Sequence, residues 1–469
     1  MHFNLLIVLS LVLITGLSGC VSQRETVPND NRAIIHSPER PEMLTLPRPS
    51  PNENRQTLDT SQEAFQGELS LKKAVALALL HNPELKSFAW AMRAREAGTL
   101  QAGFRPNPEI GIDIENIAGS GAFSGADQAE TTIALSQVIE LGAKRQARTD
   151  AAKRQRDLSG WDYEIKRMEV LTRVSKAFTA VLSAQETLGL SEDILGIGRQ
   201  VVETVSARVK AGKASPVEEI KVKVALASTQ IKVEGAKRAL KISRKTLAAT
   251  WGNTHPRFER VVGRLATVHE LPDQDRLRQR LAQNPALARW ALEISSRQAI
   301  IAVEKSKAIP NLTLSGGLRS LSGPDENVFV LGFSFPLALM NRNQGGILEA
   351  RYALSEMEEQ RRAAEIRMKT ALANAHSTLA IAHEVLTALE QKVLPGAQET
   401  FDAVNAGYRL GKFSLMDVLD AQRTISDAKV QHLEALTDYH FAHADLERLI
   451  GGSISAEPEI ANDLKGGMQ

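Results

Sequence analysis

Cysteine is almost absent from this chain of 469 residues, which contains only Cys20. A single thiol excludes an intrachain disulfide and any metal site built from several cysteines. Aromatic residues make up only 4% of the chain, and this composition suits long helices better than a broad sandwich core. The 57 basic and 55 acidic residues nearly balance, so the charge does not indicate a nucleic-acid partner.

The ten histidines are scattered along the sequence. His376 and His383 are seven residues apart and can share a helix face, and His432, His440 and His443 fall on the last predicted helix. Metal ligation and a solvated or packed helix face are both open interpretations, and the second is favoured. No nucleophile, metal or phosphate constellation is recognisable, so an enzyme is disfavoured and no metal site is predicted.

The N-terminus has the pattern of an export signal. An apolar run from Leu5 to Leu17 is too short for a membrane span, so residues 1–19 are predicted to be a signal peptide. The ending LSGC resembles the bacterial lipobox, which implies cleavage before Cys20 and lipidation of its thiol. Val21 at the next position favours the outer membrane. Simple secretion with a free thiol is the alternative.

The mature chain repeats itself once, at an offset of about 200 residues. Asn82-Pro83 aligns with Asn284-Pro285, and Gly212-Lys213 aligns with Gly411-Lys412. Several matches in the same order predict an internal duplication. The predicted organisation is a lipid-anchored linker over residues 20–68, a first repeat over 69–255, a connection over 256–275, a second repeat over 276–452 and a tail over 453–469.

Each repeat is predicted to contain a helix, a β-hairpin and two long helices. The hairpins are expected at about 107–139 and 310–338, where apolar residues such as Ile110 and Ile112 alternate with polar ones. Strands of about nine or ten residues suit a tilted membrane strand.

Two helices are predicted to be very long. Proline is absent from Ala143 to Ala211, and apolar residues recur there at spacings of three, four or seven, which predicts a helix with a coiled-coil-like seam. The helix of the second repeat extends from about Gly346 to Ala406, and Pro395 is expected to kink or interrupt it.

Four strands cannot close a membrane barrel by themselves, because the smallest known barrels have about eight. Open strand edges in lipid are prohibitive. If the strands span a membrane, several chains must therefore share one barrel, and three chains would supply twelve strands. The same three chains would align their helices into a tube beneath it.

These features resemble the TolC-type outer-membrane channels of tripartite efflux pumps, from about Leu69 to Gly452. The motif around the second break carries the resemblance, with Tyr408, Gly411 and the sequence DVLDAQ from Asp417. The stretch NPEIGIDIENIAGSGAFSGADQAETTIALSQVIELGAKRQAR is most similar to the cobalt–zinc–cadmium branch of heavy-metal efflux.

The resemblance implies a mainly α protomer that assembles as a homotrimer, with a twelve-stranded β-barrel in the outer membrane and a periplasmic α-helical barrel. The implied function is a passive exit duct for heavy-metal cations, gated at the periplasmic helix tips. The implied partners are a periplasmic adaptor protein, a proton-driven inner-membrane pump of the resistance-nodulation-division class and outer-membrane lipid. Nucleic acid, a cofactor and catalytic residues are not implied.

The helix breaks are the candidate functional segments. Gly212 and Gly411 can adopt the left-handed conformation that ends a helix. Ser215 with Glu218, and Ser414 with Asp417, match the capping-box pattern that starts the next helix. For Glu218 and Asp417, capping and lining of a pore are both open interpretations.

Asp420 lies one turn beyond the cap, where capping does not require an acid, and its counterpart in the first repeat is Lys221. In a trimer Asp420 would form a ring of three carboxylates, which favours cations. The resemblance implies that Asp417 and Asp420 line a constricted entrance and that Tyr408 helps hold it closed through inter-helix hydrogen bonds. The family's basic partner five residues after the tyrosine is replaced by Phe413 here.

Two other functions remain open, namely a periplasmic adaptor and a structural coiled-coil lipoprotein. Neither gives a reason for paired hairpins at the same place in both repeats. A basic run follows the first hairpin and could face either lipid head groups or solvent, with solvent favoured. The run comprises Lys144, Arg145, Arg148, Lys153, Arg154 and Arg156.

Overall fold

The structure is a computed structural model, and it describes residues 67–454. The predicted signal peptide, Cys20 and the linker up to residue 66 lie outside the described residues, as does the tail from residue 455.

Helices dominate both halves of the described chain. The first half contains β1 (Gly67–Ser70), α1 (Leu71–His81), α2 (Pro83–Ala102), β2 (Glu109–Glu115), β3 (Glu130–Ile139), α3 (Lys144–Lys210), α4 (Pro216–Ala249) and β4 (Phe258–Val262). The second half contains α5 (Gln274–Leu281), α6 (Pro285–Lys307), β5 (Leu312–Leu321), β6 (Glu326–Ser334), α7 (Gln344–Ala388), α8 (Leu394–Arg409) and α9 (Leu415–Ile450). Both halves therefore place a hairpin between a pair of leading helices and a pair of long helical segments, which confirms the predicted duplication.

Two buried asparagines show the duplication at the level of single side chains. The Oδ1 atom of Asn82 accepts a hydrogen bond from the Leu85 amide at 2.9 Å, and its Nδ2 donates to the Thr250 carbonyl at 2.7 Å. Asn284 repeats this arrangement with the Ala286 amide at 2.7 Å and the Leu449 carbonyl at 2.8 Å. Each asparagine thus caps the second leading helix and holds it to the C-terminal end of the last helix of the same half.

The leading segment of each half consists of two helices, whereas the sequence pattern predicts one. The break comes at Asn82 and Asn284, each of which leaves the helical conformation before a proline. The proline then occupies the first helical position, where its missing N–H costs nothing.

The two hairpins join into one antiparallel sheet of four strands in the order β2-β3-β5-β6. One face of this sheet is apolar and exposed. Phe329 and Leu331 of β6 each have 88% of their surface exposed, and Ile110 of β2 has 74% exposed. The residues between them along each strand have their side chains on the other face, and these are mostly small or polar. The period-two alternation predicted from the sequence is confirmed.

Two details of the hairpins were predicted wrongly. β2 has seven residues, fewer than expected, because Asn116 turns the chain with a φ of 58°. The sequence RSLSGPDEN predicts a loop between the two strands of the second hairpin, but its first three residues, Arg319 to Leu321, belong to β5 and pair with residues of β3. The Arg319 side chain reinforces that pairing by donating from Nε to the Thr132 hydroxyl at 2.8 Å.

A second, two-stranded sheet was not predicted. β1 pairs in parallel with β4 across the two ends of the first half. Leu69 and Val261 of this sheet are fully buried in one cluster with Val174 and Val181 of α3. Strands of four and five residues are too short to show a clear alternation in the sequence.

The long helix α3 has 67 residues, which confirms its predicted extent to within one residue at each end. At about 1.5 Å per residue it is on the order of 100 Å long. Its predicted seam is buried at Val174, Phe178, Val181, Leu195 and Val205. No helix within the described residues 67–454 has the length and apolar character that crossing a membrane requires.

The corresponding helical line in the second half continues past Pro395. A π-helical segment, Leu389–Val393, joins α7 to α8 directly before this proline. Such a bulge accommodates a residue that cannot donate its backbone N–H. Pro395 therefore changes the local hydrogen bonding but does not end the helical line.

Candidate functional site

The two helix reversals have the same type of turn. The Lys213 amide donates to the Arg208 carbonyl at 2.8 Å, and the Lys412 amide donates to the Gly407 carbonyl at 2.8 Å. Gly212 and Gly411 have φ values of 69° and 77°. This is the Schellman arrangement with glycine in the left-handed position, as predicted.

The cap that starts α9 contains both hydrogen bonds of a capping box. The Ser414 hydroxyl accepts from the Asp417 amide at 3.3 Å, and Asp417 Oδ2 accepts from the Ser414 amide at 2.7 Å. The hydroxyl and amide of Ser414 donate to this carboxylate and hold its pKa below the ordinary value. Asp417 is therefore a charged capping residue in this structure.

The capping box predicted for the first half does not form. Ser215 caps α4 through the amide of Val217 at 3.2 Å. Pro216 occupies the first helical position, and the Glu218 side chain makes no reciprocal bond to the cap among the described residues. The next acid is engaged instead, since Glu219 Oε1 accepts from the Ser206 hydroxyl at 3.0 Å and pairs with Lys223 at 2.7 Å. Glu218 is thus left without a capping role.

The two reversals share one small core. Tyr408 before the second turn is 4% exposed, and it lies with Val205, Val222, Leu415 and Val418. These five residues come from α3, α4, α8 and α9. Tyr408 therefore joins the tips of both helical hairpins within one protomer.

Arg208 of α3 is the basic partner of Tyr408. Its guanidinium carbon lies 4.5 Å from the centre of the tyrosine ring, and its Nη1 donates to the Tyr408 carbonyl at 3.0 Å. Such a stack combines a cation–π contact with a charged hydrogen bond. The first half thus supplies a basic group at the tip, although the expected position in the second half is occupied by Phe413.

The Tyr408 hydroxyl is buried and has no hydrogen-bond partner among the described residues. Burial raises the pKa of this hydroxyl, the charge of Arg208 lowers it and the charge of Glu218 raises it. Tyr408 and Glu218 are thus close enough to interact electrostatically, but they are not bonded.

Phe413 packs on the turn itself. A Cβ atom added at Gly407 would collide with the Phe413 ring, so the ring lies directly against the backbone there. The side chain is nevertheless 45% exposed. Phe413 therefore covers the turn with apolar surface, where the family pattern has a charge.

Asp420 lies one turn beyond the cap and is exposed. Its side chain makes no hydrogen bond or ion pair among the described residues, and its backbone carbonyl accepts from the Thr424 hydroxyl at 3.0 Å. The protomer gives no structural reason for a carboxylate at this position. Asp417 and Asp420 therefore differ, because only the Asp417 carboxylate caps a helix in the folded protomer.

The polar face of the four-stranded sheet carries a second concentration of acids. Five carboxylates and one arginine lie on it: Glu109, Asp113, Glu115, Glu130, Glu326 and Arg319. Glu115 and Glu130 stand directly opposite each other. Arg319 bridges them at 3.2 and 2.7 Å and so relieves the repulsion of this pair.

The histidines do not converge on a site for a metal. Within residues 67–454 no three side chains of His, Cys, Asp or Glu are arranged to hold a metal ion. His432 contacts Glu390 at 3.0 Å. His376 and His440 each bond a backbone carbonyl of the connection between the halves.

In the basic run at the start of α3, Arg145, Lys153 and Arg154 are exposed, as the favoured solvated face predicts, whereas Lys144 and Arg148 bond to other elements. Arg148 pairs with Glu140 at 2.6 Å and donates to the carbonyls of Ala102 and Phe104 at 2.9 and 3.0 Å. Lys144 donates to the side chain of Asn311. For these two residues neither sequence-based alternative was right, because they hold the hairpin and α2 against the helix.

Comparison with known proteins identifies the fold. A family model described as outer membrane efflux protein matches residues 74–253 and 277–452. The chain belongs to the outer membrane efflux protein family. Members are the outer-membrane channel components of tripartite efflux pumps and are not enzymes. This membership decides against the adaptor and the structural lipoprotein that the sequence left open.

Two curated relatives of this efflux family member are named for metal resistance. The cobalt-zinc-cadmium resistance protein CzcC of Cupriavidus metallidurans is 33% identical over 82% of this chain and 90% of that protein. The nickel-cobalt-cadmium resistance protein NccC of Alcaligenes xylosoxydans xylosoxydans is 22% identical over 61% of this chain and 63% of that protein.

Solved structures of channels share the fold at low identity. CusC superposes with a TM-score of 0.70 at 16% identity, over 82% of this chain and 92% of that chain. The MtrE outer membrane channel of Neisseria gonorrhoeae superposes with a TM-score of 0.67 at 19% identity, over 82% of this chain and 89% of that chain.

Arg208 was not predicted from the sequence as a tip residue of this efflux family member. A signal was present, because Arg208 lies four residues before Gly212, on the same turn of helix as the position equivalent to Tyr408. The sequence does not reveal the contact of Arg208 on α3 with Tyr408 on α8, which joins the two tips.

Proposed function

We propose that this protein is the outer-membrane channel of a proton-driven tripartite pump that exports heavy-metal cations. Its periplasmic partners would be an adaptor protein and an inner-membrane pump of the resistance-nodulation-division class. The observation that carries the proposal is the 33% identity to a cobalt-zinc-cadmium resistance protein along 90% of that protein's length. Lipidation of Cys20 would anchor the N-terminus in the same membrane.

The sheet supports assembly as a homotrimer with a shared twelve-stranded barrel. Strands β2 and β6 are the edges of the sheet and have one unpaired side each. Pairing β6 of one chain with β2 of the next would satisfy both edges, as lipid requires. The exposed apolar face would then contact lipid, and the face with the acids would line the duct.

Charge supports cations as the exported species. In the proposed trimer, the five carboxylates and one arginine of each sheet would face the lumen in three copies. Asp420 would add a ring of three carboxylates at the periplasmic end. Rings of carboxylates favour cations over anions.

The helix tips are proposed to form the gate. The turns at Gly212 and Gly411 reverse the chain there, and Ser215 and Ser414 start the next helices. Around these turns Tyr408, Asp417, Asp420 and Glu218 would surround the entrance. The stack of Arg208 on Tyr408 supports this proposal, because it ties the two hairpins of a protomer together at the tip.

A complementation assay tests the proposed function. A strain that keeps its metal pump and adaptor but lacks their channel would receive this gene. We expect restored growth in cobalt, zinc or cadmium and a lower cell content of the metal. Unchanged sensitivity, with the trimer present in the outer membrane, would reject the proposed substrate class.

Neutralising Asp420 is expected to weaken cation selectivity without unfolding the tip. Two unit charges about 4 Å apart in water interact by about 1 kcal/mol, so Asp420→Asn should lower the cation-to-anion permeability ratio by roughly fivefold. Asp417→Asn should add to this effect, and it should also loosen the start of α9 because it removes the charged cap. Reversal potentials in planar bilayers under a salt gradient measure the ratio. The exposed acid Glu434 on the same helix provides the control Glu434→Gln, and equal ratios in all variants would reject the ring.

Removing the Arg208 side chain is expected to open the tip more often. Arg208→Ala loses a stacking contact of about 0.5–2 kcal/mol and a charged hydrogen bond of about 1.5–3 kcal/mol. Basal conductance of the reconstituted channel should therefore rise. Arg208→Lys keeps the charge but not the planar stack, and it should give an intermediate value. The exposed Arg199 on the same helix supplies the control Arg199→Ala, and a closed Arg208→Ala channel would contradict the assigned role.

A further inference from the structure

The connection between the two halves, residues 263–273, lies across α7 and α9 as a strap. His440 Nε2 is 2.8 Å from the Leu265 carbonyl, and the Tyr439 hydroxyl accepts from the His269 amide at 2.9 Å and donates to the His269 carbonyl at 3.0 Å. His376 Nε2 is 3.1 Å from the Pro272 carbonyl. Side chains of two helices, mostly histidines, therefore hold the strap by its backbone.

His443 lies beneath this strap. Its side chain is 16% exposed, and its Nε2 is buried with no hydrogen-bond partner among the described residues. Its ring centre is 6.2 Å from that of His269 on the strap and 6.1 Å from that of Tyr439. A neutral ring is tolerated in this position, whereas a protonated ring would place a second N–H donor where no acceptor is present.

The charged groups around His443 only partly offset the free-energy cost of leaving this N–H donor unpaired. On α9 itself, Glu447 Oε2 is 3.7 Å from His443 Nδ1. Burial lowers the pKa of His443, the charge of Glu447 raises it, and His440 and His269 lower it. Two of the three ionisable neighbours therefore act in the same direction as burial.

Three other described helices place ionisable groups near this part of α9. Helix α7 contributes His383, which contacts Tyr439, and His376, which contacts the strap. Helix α3 contributes Lys176, which is paired with Asp445 at 2.6 Å. Helix α5 contributes Arg280, whose guanidinium lies near Gly452.

We propose that strap 263–273 is a pH-sensitive clamp on α9, and that uptake of a proton by His443 releases it. Protonation would bring a positive charge and an unpaired donor under the strap, beside two further histidines. His440 holds the strap at Leu265, Tyr439 holds it at His269 and His376 holds it at Pro272, each through only one or two hydrogen bonds, so the strap would yield before the helix. This inference concerns the junction of the two halves and does not depend on the exported substrate.

The direction of the pH effect follows from the lowered pKa. Above the ordinary histidine value both the closed and the released states are neutral at His443, and the clamp is at full strength. As the pH falls below that value, the released state takes up a proton and the closed state does not, so closure weakens until the lower pKa of the closed state is reached. Each unit by which the pKa is lowered corresponds to about tenfold in the closing equilibrium.

Hydrogen exchange of the full-length channel in detergent tests the clamp. Protection of the strap amides, corrected for intrinsic exchange rates, would be compared between about pH 7.5 and about pH 5.5, where histidines titrate. We expect a selective loss of protection at low pH, of up to roughly tenfold, because pH 5.5 lies about one unit below the ordinary histidine pKa. Amides in the middle of α3 should keep their protection.

Two variants and one control distinguish protonation of His443 from a general loosening of the protein at low pH. His443→Asn should keep similar strap protection at both pH values, because no proton can be taken up there. Glu447→Gln removes the charge that raises the pKa of His443 in the closed state, so the loss should continue to a lower pH than in the wild type. His432→Gln, at the histidine that pairs with Glu390 about two helical turns before His440, should behave as the wild type. A wild-type profile in His443→Asn would overturn the proposal, as would an unchanged transition in Glu447→Gln.

Discussion

Replacing Asn284 by alanine is expected to lower the free energy of unfolding by about 2–4 kcal/mol. An N-cap contributes typically about 1 kcal/mol, and leaving a buried carbonyl unpaired costs about 1–3 kcal/mol. Asn284 is only 4% exposed and provides both interactions, to the Ala286 amide and to the carbonyls of Arg448 and Leu449. Asn82→Ala should have an effect of similar size, because Asn82 makes the equivalent bonds in the first half.

Denaturation of the protein in detergent, followed by far-ultraviolet circular dichroism, measures this loss. Asn284→Asp separates the two interactions, because aspartate can still accept the cap bond but cannot donate to the carbonyls of α9. We therefore expect it to be partly destabilising. Asn374→Ala on the exposed face of α7 is the matched control, with an expected gain below about 0.7 kcal/mol from helix propensity. If Asn284→Ala were as stable as this control, the asparagine would not hold the two helices together.

Periodicity made the long elements predictable from the sequence. Helix α3 begins and ends within one residue of its predicted limits, because an uninterrupted apolar seam and a glycine-containing break define it. The alternation in β5 and β6 likewise identified the apolar face. Short or aperiodic elements were not predicted. Strands β1 and β4 are examples, because their pairing depends on contact between residues almost 200 positions apart.

Local chemistry at the tips was predictable, but contacts between the tips were not. The capping box of Ser414 and Asp417 formed as expected, because both partners lie within one helical turn. The box expected at Ser215 did not form, and Glu219 rather than Glu218 bonds across to α3. Arg208 and Tyr408 come from different halves, so only the folded chain shows that the basic partner missing at Phe413 is provided by α3.

Asp420 stands out only when the sequence motif is combined with the contacts of the folded protomer. Its neighbour Asp417 is explained by capping, and Tyr408 is explained by packing and by Arg208. Asp420 has neither a cap to form nor a partner within the protomer, so selection for folding does not account for its charge. Asp420 is therefore the preferred residue to replace when the cation selectivity of the channel is measured.

A lysine on the apolar face of the sheet is expected to have the largest effect on the assembled channel. Leu331 is 88% exposed in the protomer, so Leu331→Lys removes almost no packing within one chain. If this face contacts lipid, each lysine near the middle of the membrane should cost about 2–4 kcal/mol. Three copies in a trimer would multiply the cost, and we expect a severe loss of heat-resistant trimer in outer-membrane fractions.

The adjacent residue in β6 provides a matched control. Val330 pairs with Gly317 and points to the polar face, whereas Leu331 pairs with Gly316 and points to the apolar one. Val330→Lys puts the same charge at nearly the same depth, but on the side proposed to line the duct. It should therefore leave the amount of trimer close to wild type, since lumen-facing positions tolerate charge. Equal losses in the two variants would show that neither face is in lipid, and a greater loss in Val330→Lys would reverse the proposed orientation of the sheet.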